Sequence, residues 1–277
     1  MFGATLGLLA AITYGAADFL GGLATKKSPV FTVALISQAV GLALLFILLL
    51  LMPVPMRAFD FWWGMAGGIV GAVALSLFYQ ALAVGSMGVI SPVSAVIATV
   101  VPVLYGIVHG ERPSLHQDIG IGLAPIAVWF VSFKVQGSAP KTDLRGLRRS
   151  LAAGVAFGVF YICLAQTHQD AGLFPLVGSR TGSIALLAAA ALITRQPIKP
   201  LSGTLPMIAF AGALDMSANA FFISAAHRGL IAIAAVLTSL YPASTVFLAR
   251  IVLKERLQRT QIAGVVCALL AAALIAR

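Results

Sequence analysis

The residues best suited to chemistry in this chain lie in a strongly apolar stretch, FAGALDMSANAFF, at residues 210–222. Asp215 and Asn219 are four residues apart there, so on a helix both side chains project from the same face. A carboxylate inside a bilayer costs several kcal/mol and therefore usually faces water, a partner or the protein interior. Asp215 could accept a proton or bind a substrate ammonium group, and Asn219 could assist it.

Other polar side chains within apolar segments could complete a binding site. Asp18 follows Tyr14 by one helical turn, and the guanidinium of Arg180 could hold a substrate carboxylate through two hydrogen bonds. Together, Asp215 and Arg180 would suit a zwitterion such as an amino acid. The remaining substrate-binding candidates, in three further segments, are Gln38, Tyr79, Gln80 and Tyr241. Asp215 and Asp18 are also the candidates for proton coupling.

Each of these residues also has a structural alternative. Asp215 could form an ion pair with Arg180, or it could bond Asn219 and the backbone and so fix the register of its helix. Asp18 could lie near the membrane interface, where its charge costs little. A tyrosine or glutamine within a span can bond a backbone carbonyl or a neighbouring helix without touching a ligand.

The composition places these residues in a membrane. Hydrophobic residues make up 60% of the chain and charged residues only 9%, whereas soluble domains carry about a quarter charged residues. Apolar segments long enough to cross a bilayer as helices follow one another along the chain. The prediction is an all-α polytopic membrane protein with ten transmembrane helices, at roughly 3–24, 30–52, 61–82, 88–108, 115–133, 150–169, 174–194, 203–225, 230–251 and 259–276.

The basic residues predict the orientation of these helices. Twelve Lys and Arg residues lie in connectors after odd-numbered spans, and four lie on the opposite side. Positive charge favours the cytoplasm, so we expect the odd-numbered connectors inside and both termini outside, in a multi-pass protein of the cell (inner) membrane. The net charge of +10 is explained in this way and does not indicate a nucleic-acid partner.

The two halves of the chain resemble each other in sequence. Residues 81–120 align with residues 225–264 at a shift of 144, which matches Gly85 with Gly229 and Glu111 with Glu255. At a shift of 143, AAITYG at 10–15 aligns with AGVAFG at 153–158. Since each half holds an odd number of spans, the second is inverted relative to the first. The predicted organisation is two inverted five-helix repeats, 1–138 and 139–277, in one membrane domain, which is typical of secondary transporters.

On these features the chain resembles the drug/metabolite transporter superfamily, in particular its EamA-type ten-helix transporters. The resemblance is carried by HGERPSLHQDIG and LKERLQRTQIAG after the fourth and ninth spans, and by Pro242, thirteen residues before Glu255. The first half departs from this pattern, because Ala98 occupies the place that matches Pro242. The resemblance implies an inner-membrane carrier that alternates access to a central cavity and often exports amino acids or related metabolites.

Glu111, Glu255 and Pro242 are the candidates for gating. The two glutamates lie at helix ends next to basic residues, so interfacial ion pairs are the alternative for them. A proline within a helix frees a carbonyl and permits a kink, although many membrane helices contain prolines without any gating role.

The prediction is a secondary active transporter or exporter of small metabolites, with proton coupling as a hypothesis. A facilitative exchanger and a multidrug-type exporter are the alternatives within the same class. A non-transporting scaffold or receptor is a further alternative, and an intramembrane aspartyl-type enzyme with Asp18 and Asp215 as its dyad is a distant one. Catalytic activity is not expected.

The expected partners are a small-molecule substrate, the lipid bilayer and protons, with the chain acting as a monomer or homodimer. We expect no cofactor and no metal, because Cys163 and Cys267 lie within apolar spans and the histidines are scattered. Direct use of ATP is not expected, since the sequence has no phosphate loop. The N-terminal segment lacks a basic start and contains Asp18, which favours a retained first span over a signal peptide.

Overall fold

The computed structural model describes residues 2–51, 54–84, 87–132, 144–195, 199–252 and 259–275. Within these ranges the regular elements are helices, comprising eleven α-helices and a short 3₁₀ turn at Gln169–Ala171. The α-helices are α1 (Phe2–Thr25), α2 (Val30–Leu51), α3 (Ala58–Val84), α4 (Met87–Val108), α5 (Leu115–Ser132), α6 (Leu144–Ala165), α7 (Pro175–Ile193), α8 (Leu205–Ala226), α9 (Ile231–Thr238), α10 (Tyr241–Val252) and α11 (Arg259–Ile275).

These helices make the chain a multi-pass membrane protein. Six of the described helices are long and apolar enough to cross a membrane: α1, α2, α3, α6, α7 and α8. Two shorter apolar helical stretches, Val93–Val108 and Ile231–Thr245, accompany them. The predicted ninth span is divided, because α9 ends at Thr238 and α10 begins at Tyr241. Pro242 lies in the first turn of α10, a position that a residue without a backbone N–H tolerates well.

The helix ends differ from the predicted spans where charged residues lie next to apolar ones. The helix α6 begins at Leu144, six residues before the predicted start, so the basic run Arg145–Arg149 forms its first turns. Leucine and arginine are strong helix formers, and the helix therefore continues past the end of its apolar part. A charge cluster marks a change of environment along the chain, and it is not a reliable helix boundary.

Most of the helices pack in two groups, of which the first contains α3, α4, α6 and α7 and the second contains α1, α2, α8, α9 and α10. In one group α3 packs against α6 and α7, and α4 packs against α6. In the other, α1 packs against α8, α9 and α10, while α2 packs against α8. The groups meet where α2 contacts α7 and where α4 contacts α9, and α5 packs against α11. The seam between the groups is where polar side chains from several helices can meet.

Glycines bring α3 unusually close to α7. A Cβ atom at Gly68 would overlap the carbonyl oxygen of Ser179, and one at Gly64 would overlap that of Pro175. On α2 and α8 the same kind of contact occurs, because a Cβ at Gly212 would overlap the carbonyl oxygen of Ser37. Small residues of this kind allow helix backbones to approach closely in a membrane. They hold the polar part of α7 against its neighbours.

Polar contacts join the connectors at both ends of the bundle. At the end that we call the Ser28 end, the Ser28 hydroxyl lies 2.9 Å from the Thr204 hydroxyl and accepts from the backbone N–H of Leu201 at 2.9 Å. At the opposite end, the Glu111 end, Arg57 holds Asp170 through two hydrogen bonds of 2.6 Å. Those bonds lower the pKa of the Asp170 carboxyl. Each end is thus organised by specific bonds between connectors.

Candidate binding cavity

A cavity lies between the two helix groups. The space open to the centre of a water molecule is about 60 Å³, enough for roughly four to six waters since each needs about 10–15 Å³. The cavity is therefore suited to a small ligand. Residues of α1, α2, α3, α4, α6, α7, α8 and α10 line it: Tyr14, Asp18, Gln38, Gly68, Gly71, Ala72, Leu75, Ala98, Phe157, Phe160, Tyr161, Ser179, Arg180, Ser183, Asp215, Asn219 and Tyr241.

Arg180 and Asp215 form an ion pair across the seam. The Nη2 atom of Arg180 on α7 lies 2.7 Å from Oδ2 of Asp215 on α8. The Arg180 side chain is 4% exposed and that of Asp215 is 28% exposed. Asp215 thus keeps a surface toward the cavity while it neutralises a deeply buried guanidinium. The structure combines the two alternatives for Asp215, since it is an ion-pair partner and also part of the cavity wall.

A second contact holds Arg180 in place. Its Nη1 atom donates to Oε1 of Gln38 on α2, and the Ser183 hydroxyl lies 3.1 Å from the same oxygen. The Nε atom has no hydrogen-bond partner among the described residues and lies on the side of Gly41, whose position on α2 leaves room for the guanidinium. Gln38 and Asp215 therefore contact both terminal nitrogens of Arg180, although Nη2, like Nε, makes no hydrogen bond to a described residue.

Asn219 presents an oxygen without a partner. Its Nδ2 atom donates to the backbone carbonyl of Asp215 at 2.7 Å. Because a carbonyl can only accept, this bond fixes the orientation of the amide. The Oδ1 atom is then left without a hydrogen-bond partner among the described residues, although Asn219 is only 4% exposed. Asn219 is thus a buried acceptor in the cavity wall.

Asp18 is the third charged group of the cavity wall. It lies on α1, one turn after Tyr14, and both residues line the cavity. Among the described residues, Asp18 makes no ion pair and no hydrogen bond. Its position differs in this respect from that of Asp215, whose charge is compensated by Arg180. Asp18 is thus an acidic group of the cavity wall that has no cationic partner among the described residues.

Aromatic residues of α6 form an apolar part of the wall. Phe160 and Tyr161 are neighbours with ring centroids 5.5 Å apart, and Tyr161 packs against Phe222 of α8 at 4.3 Å. Sequence reasoning did not select these rings, although a signal for them existed. The shift of 143 that aligns AAITYG with AGVAFG carries Tyr14 to Phe157 and Asp18 to Tyr161, and all four line the cavity.

The structure brings most of the sequence-derived candidates together. Around the cavity lie Tyr14, Asp18, Gln38, Arg180, Asp215, Asn219 and Tyr241. Two others on α3, Tyr79 and Gln80, are not part of the wall. Tyr79 is buried, and a Cβ at Gly21 of α1 would overlap its hydroxyl. Sequence reasoning missed Ser179 and Ser183, which accompany Arg180 on α7.

The gating candidates lie at different places. The carboxylate of Glu111 accepts from two backbone N–H groups at the start of α9, those of Ile231 at 2.7 Å and Ala232 at 3.1 Å. Unpaired N–H groups at a helix start favour a negative partner, so Glu111 caps α9 from the connector that follows α4. Pro242 follows Tyr241 at the start of α10, and Glu255 lies outside the described residues.

A second bond closes the Glu111 end beside this cap. The Thr167 hydroxyl donates to the Leu164 carbonyl at 2.7 Å, so it accepts from Nε2 of His227, 3.0 Å away. Burial lowers the pKa of His227 and favours its neutral imidazole. The bond connects the end of α6 with the end of α8. Both bonds therefore link the two helix groups on one side of the cavity.

Replacing Glu111 with alanine is expected to destabilise the protein by about 1–2 kcal/mol, the usual effect of removing a helix cap. The start of α9 would lose its bonded partner and fray. Thermal unfolding of the purified protein in nanodiscs measures this loss. The matched control is His116→Ala at an exposed position of α5, which should leave the unfolding temperature unchanged. Equal stability of Glu111→Ala and wild type would contradict the capping role.

Comparisons with known proteins agree with this architecture. The EamA-like transporter family matches residues 1–133 and again residues 145–277. The fold is similar to that of a solved crystal structure with a TM-score of 0.79 and 17% sequence identity, over 98% of this chain and 95% of that one. At this identity the similarity concerns the fold alone. No curated protein matches the chain in sequence.

The family match covers both halves and nearly the whole length of the chain. Members of this family are transporters of small molecules and not enzymes, which is consistent with a buried cavity lined by charged and aromatic residues. The chain therefore belongs to the EamA-like transporter family, within the drug/metabolite transporter superfamily.

Proposed function

We propose that this transporter is a secondary active exporter of small amphipathic metabolites, amino acids or related compounds, which it moves through the central cavity by alternating access. One observation carries the proposal. Charged side chains from α1, α7 and α8 converge on a single small cavity at the seam between two helix groups. Charges inside a membrane protein are costly, and they commonly mark a substrate or ion pathway.

Two inverted five-helix repeats, 1–138 and 139–277, are part of the proposal. The family matches each half separately. The close contact between Gly68 and Ser179 also has a counterpart between Gly212 and Ser37. Gly212 lies 144 residues after Gly68, and Ser179 lies 142 residues after Ser37. Equivalent contacts within the two helix groups are what an inverted repeat would produce, and a site between repeats is typical of secondary transporters. The basic connectors support an inner membrane with both termini outside.

Alternating access would open one end of the cavity at a time. The Glu111 cap and the bond between Thr167 and His227 hold the Glu111 end together. Tyr79 fills the space beside Gly21, toward the opposite end of α1. We propose that Glu111 and Tyr79 act at the two gates and that the break between α9 and α10, next to Pro242, gives α9 freedom to tilt when its cap is released.

Proton coupling is proposed to use Asp18. Asp215 already has a counter-charge, because Arg180 lies 2.7 Å from it. Asp18 has no such partner among the described residues and is free to exchange a proton with the cavity. The same geometry argues against an aspartyl-type enzyme, because such a dyad requires two carboxylates that share one proton. Facilitative exchange and multidrug-type export are the alternatives within the proposal.

Transport by proteoliposomes tests the proposal. Saturable counterflow of at least one member of a broad amino acid and metabolite panel is expected for the wild type, with stimulation by an imposed pH gradient. Asp18→Asn should lose the stimulation by the gradient. The matched control, Asp118→Asn at an exposed position of α5, should keep it. Absence of any counterflow would refute transport of this class, and unchanged pH dependence of Asp18→Asn would refute coupling through Asp18.

A further inference from the structure

We infer that the cavity recognises its cargo through an ammonium group placed between Asp18 and Asn219, and that a carboxylate on the cargo is dispensable. The inference rests on the proposed transport function and specifies its substrate class. A zwitterion would be expected if Arg180 were open to a ligand. The arrangement of charges in the cavity instead favours small primary amines that carry a net positive charge.

The first step concerns the charge balance of the cavity. Its lining contains three ionisable groups, Asp18, Arg180 and Asp215. Arg180 and Asp215 compensate each other at 2.7 Å, with Arg180 almost fully buried. Asp18 has no cationic partner among the described residues, so its carboxylate form leaves the cavity with one negative charge in excess. A cationic ligand or a proton at Asp18 neutralises the cavity, whereas an anionic ligand would add to the excess.

The second step concerns hydrogen bonding. A primary ammonium group has three N–H donors and no acceptor. The cavity offers it the Asp18 carboxylate and the Oδ1 atom of Asn219, a buried acceptor without a partner among the described residues. Because the Nδ2 atom of Asn219 is held by the Asp215 carbonyl at 2.7 Å, this amide cannot turn to offer a donor without losing that bond. The Oδ1 atom of Asn219 can only accept, and the buried Tyr14 hydroxyl, which also has no partner among the described residues, can accept as well as donate.

The third step concerns the guanidinium of Arg180. The charge of Arg180 is already balanced by Asp215 at 2.7 Å and its side chain is only 4% exposed, so a cargo carboxylate would have to compete with Asp215 for this guanidinium. The Nε atom lies on the side of Gly41 on α2, a residue that is not part of the cavity wall. A carboxylate at Arg180 would therefore place a second anion beside Asp215, whereas an ammonium group at Asp18 meets a carboxyl group that has no cation beside it among the described residues.

The fourth step concerns the body of the cargo. Phe157, Phe160 and Tyr161 form an aromatic surface beside the charged groups, and Tyr14 lies one turn from Asp18. Aromatic faces attract cations and also pack well against apolar groups. The volume of about 60 Å³ open to water centres limits the cargo to a short chain. A branched aliphatic amine of four or five carbons satisfies these conditions.

The test uses four probes with nearly the same aliphatic body and different charges. L-leucinamide and 3-methylbutylamine are cations, L-leucine is a zwitterion, and 4-methylpentanoate is an anion. Thermal unfolding of the full-length protein in nanodiscs reports binding, because a ligand of the folded state raises the unfolding temperature. We expect both cations to stabilise the wild type, L-leucine to stabilise it less, and 4-methylpentanoate to have no effect.

Variants locate the ammonium group. Asp18→Asn should weaken the apparent affinity for 3-methylbutylamine at least tenfold, whereas Asp18→Glu, which keeps the charge, should retain most of it. Asp118→Asn is the control for removal of a carboxylate elsewhere and should bind as the wild type does. If Asp18→Asn does not fold, the ranking of the four probes on the wild type and on Asp18→Glu decides the question.

Several outcomes would overturn the inference. Stabilisation by L-leucine or 4-methylpentanoate that equals or exceeds that by the cations would show that a carboxylate is recognised. Equal affinity of wild type and Asp18→Asn for the amine would place the ammonium group elsewhere. Lack of stabilisation by all four probes would also reject the inference. The proposed transport function fails separately, only if the reconstituted protein moves no member of the broader metabolite panel.

Discussion

Replacing Asp215 with asparagine is expected to destabilise the protein by about 3 kcal/mol, because it leaves a buried guanidinium without its counter-charge. Arg180 is only 4% exposed and lies between Gln38 of α2 and Asp215 of α8, so little water can replace the lost carboxylate. Because the Asp215 side chain is 28% exposed, the expected loss of stability lies at the lower end of the range for breaking a buried ion pair. Reversible unfolding in mixed micelles, followed by circular dichroism, measures the change in the free energy of unfolding.

A double-mutant cycle shows whether the effect comes from the pair. Arg180→Gln should be destabilising as well, and the combination of Arg180→Gln with Asp215→Asn should be less destabilised than the sum of the two single variants. Strict additivity would contradict an ion pair between these residues. If the double variant folds and still transports, the pair has only a structural role. If it folds and transport is lost, the pair also shapes the cargo site.

Replacing Gly68 with valine is expected to prevent stable folding. Even one added carbon would overlap the carbonyl oxygen of Ser179 on α7, and backbone cannot rearrange as a flexible side chain can. Overpacking costs about 1–3 kcal/mol in general and more where backbone must move. We expect Gly68→Ala to fall near the upper end of that range and Gly68→Val to exceed it. Yield of monodisperse protein and its unfolding temperature measure both effects.

A larger residue at Gly68 should also disturb the cavity in any variant that still folds. Ser179 immediately precedes Arg180, so a displacement of α7 also moves the guanidinium away from Gln38 and Asp215. The control is Gly122→Ala on α5, where an added Cβ would meet nothing within 4 Å; alanine there should be neutral or slightly stabilising. Gly68→Ala with wild-type stability would contradict the close contact between α3 and α7.

Much of the cavity could be predicted from residue type and depth alone. A carboxylate or guanidinium in an apolar span has few favourable locations, so Asp18, Arg180 and Asp215 were expected to face the protein interior. The structure places all three around one cavity. Tyr79 and Tyr241 illustrate the limit of this reasoning. Both are buried tyrosines within apolar helices, yet only Tyr241 lines the cavity, because a tyrosine is satisfied in either position.

The partners of these residues required the tertiary structure. Asp215 could have bonded Arg180 or Asn219, and the structure shows that the carboxylate faces the arginine while the backbone carbonyl holds the asparagine. Likewise, nothing local links Glu111 to the start of α9, which lies 120 residues later in the chain. Contacts of this kind depend on which helix faces meet, and helices that are apolar on all sides carry little sequence signal for that.

Composition and periodicity by themselves determined that this chain is a bundle of membrane-crossing helices. The physical reason is that lipid cannot bond backbone groups, so an apolar segment of this length must satisfy them within a helix. The tertiary structure alone decided that Asp215 has a counter-ion while Asp18 has none in the described part of the chain. That difference depends on how α7 and α8 pack against their neighbours, since Gly68 lets α3 approach α7 and Gly212 lets α8 approach α2, and no single segment encodes both contacts.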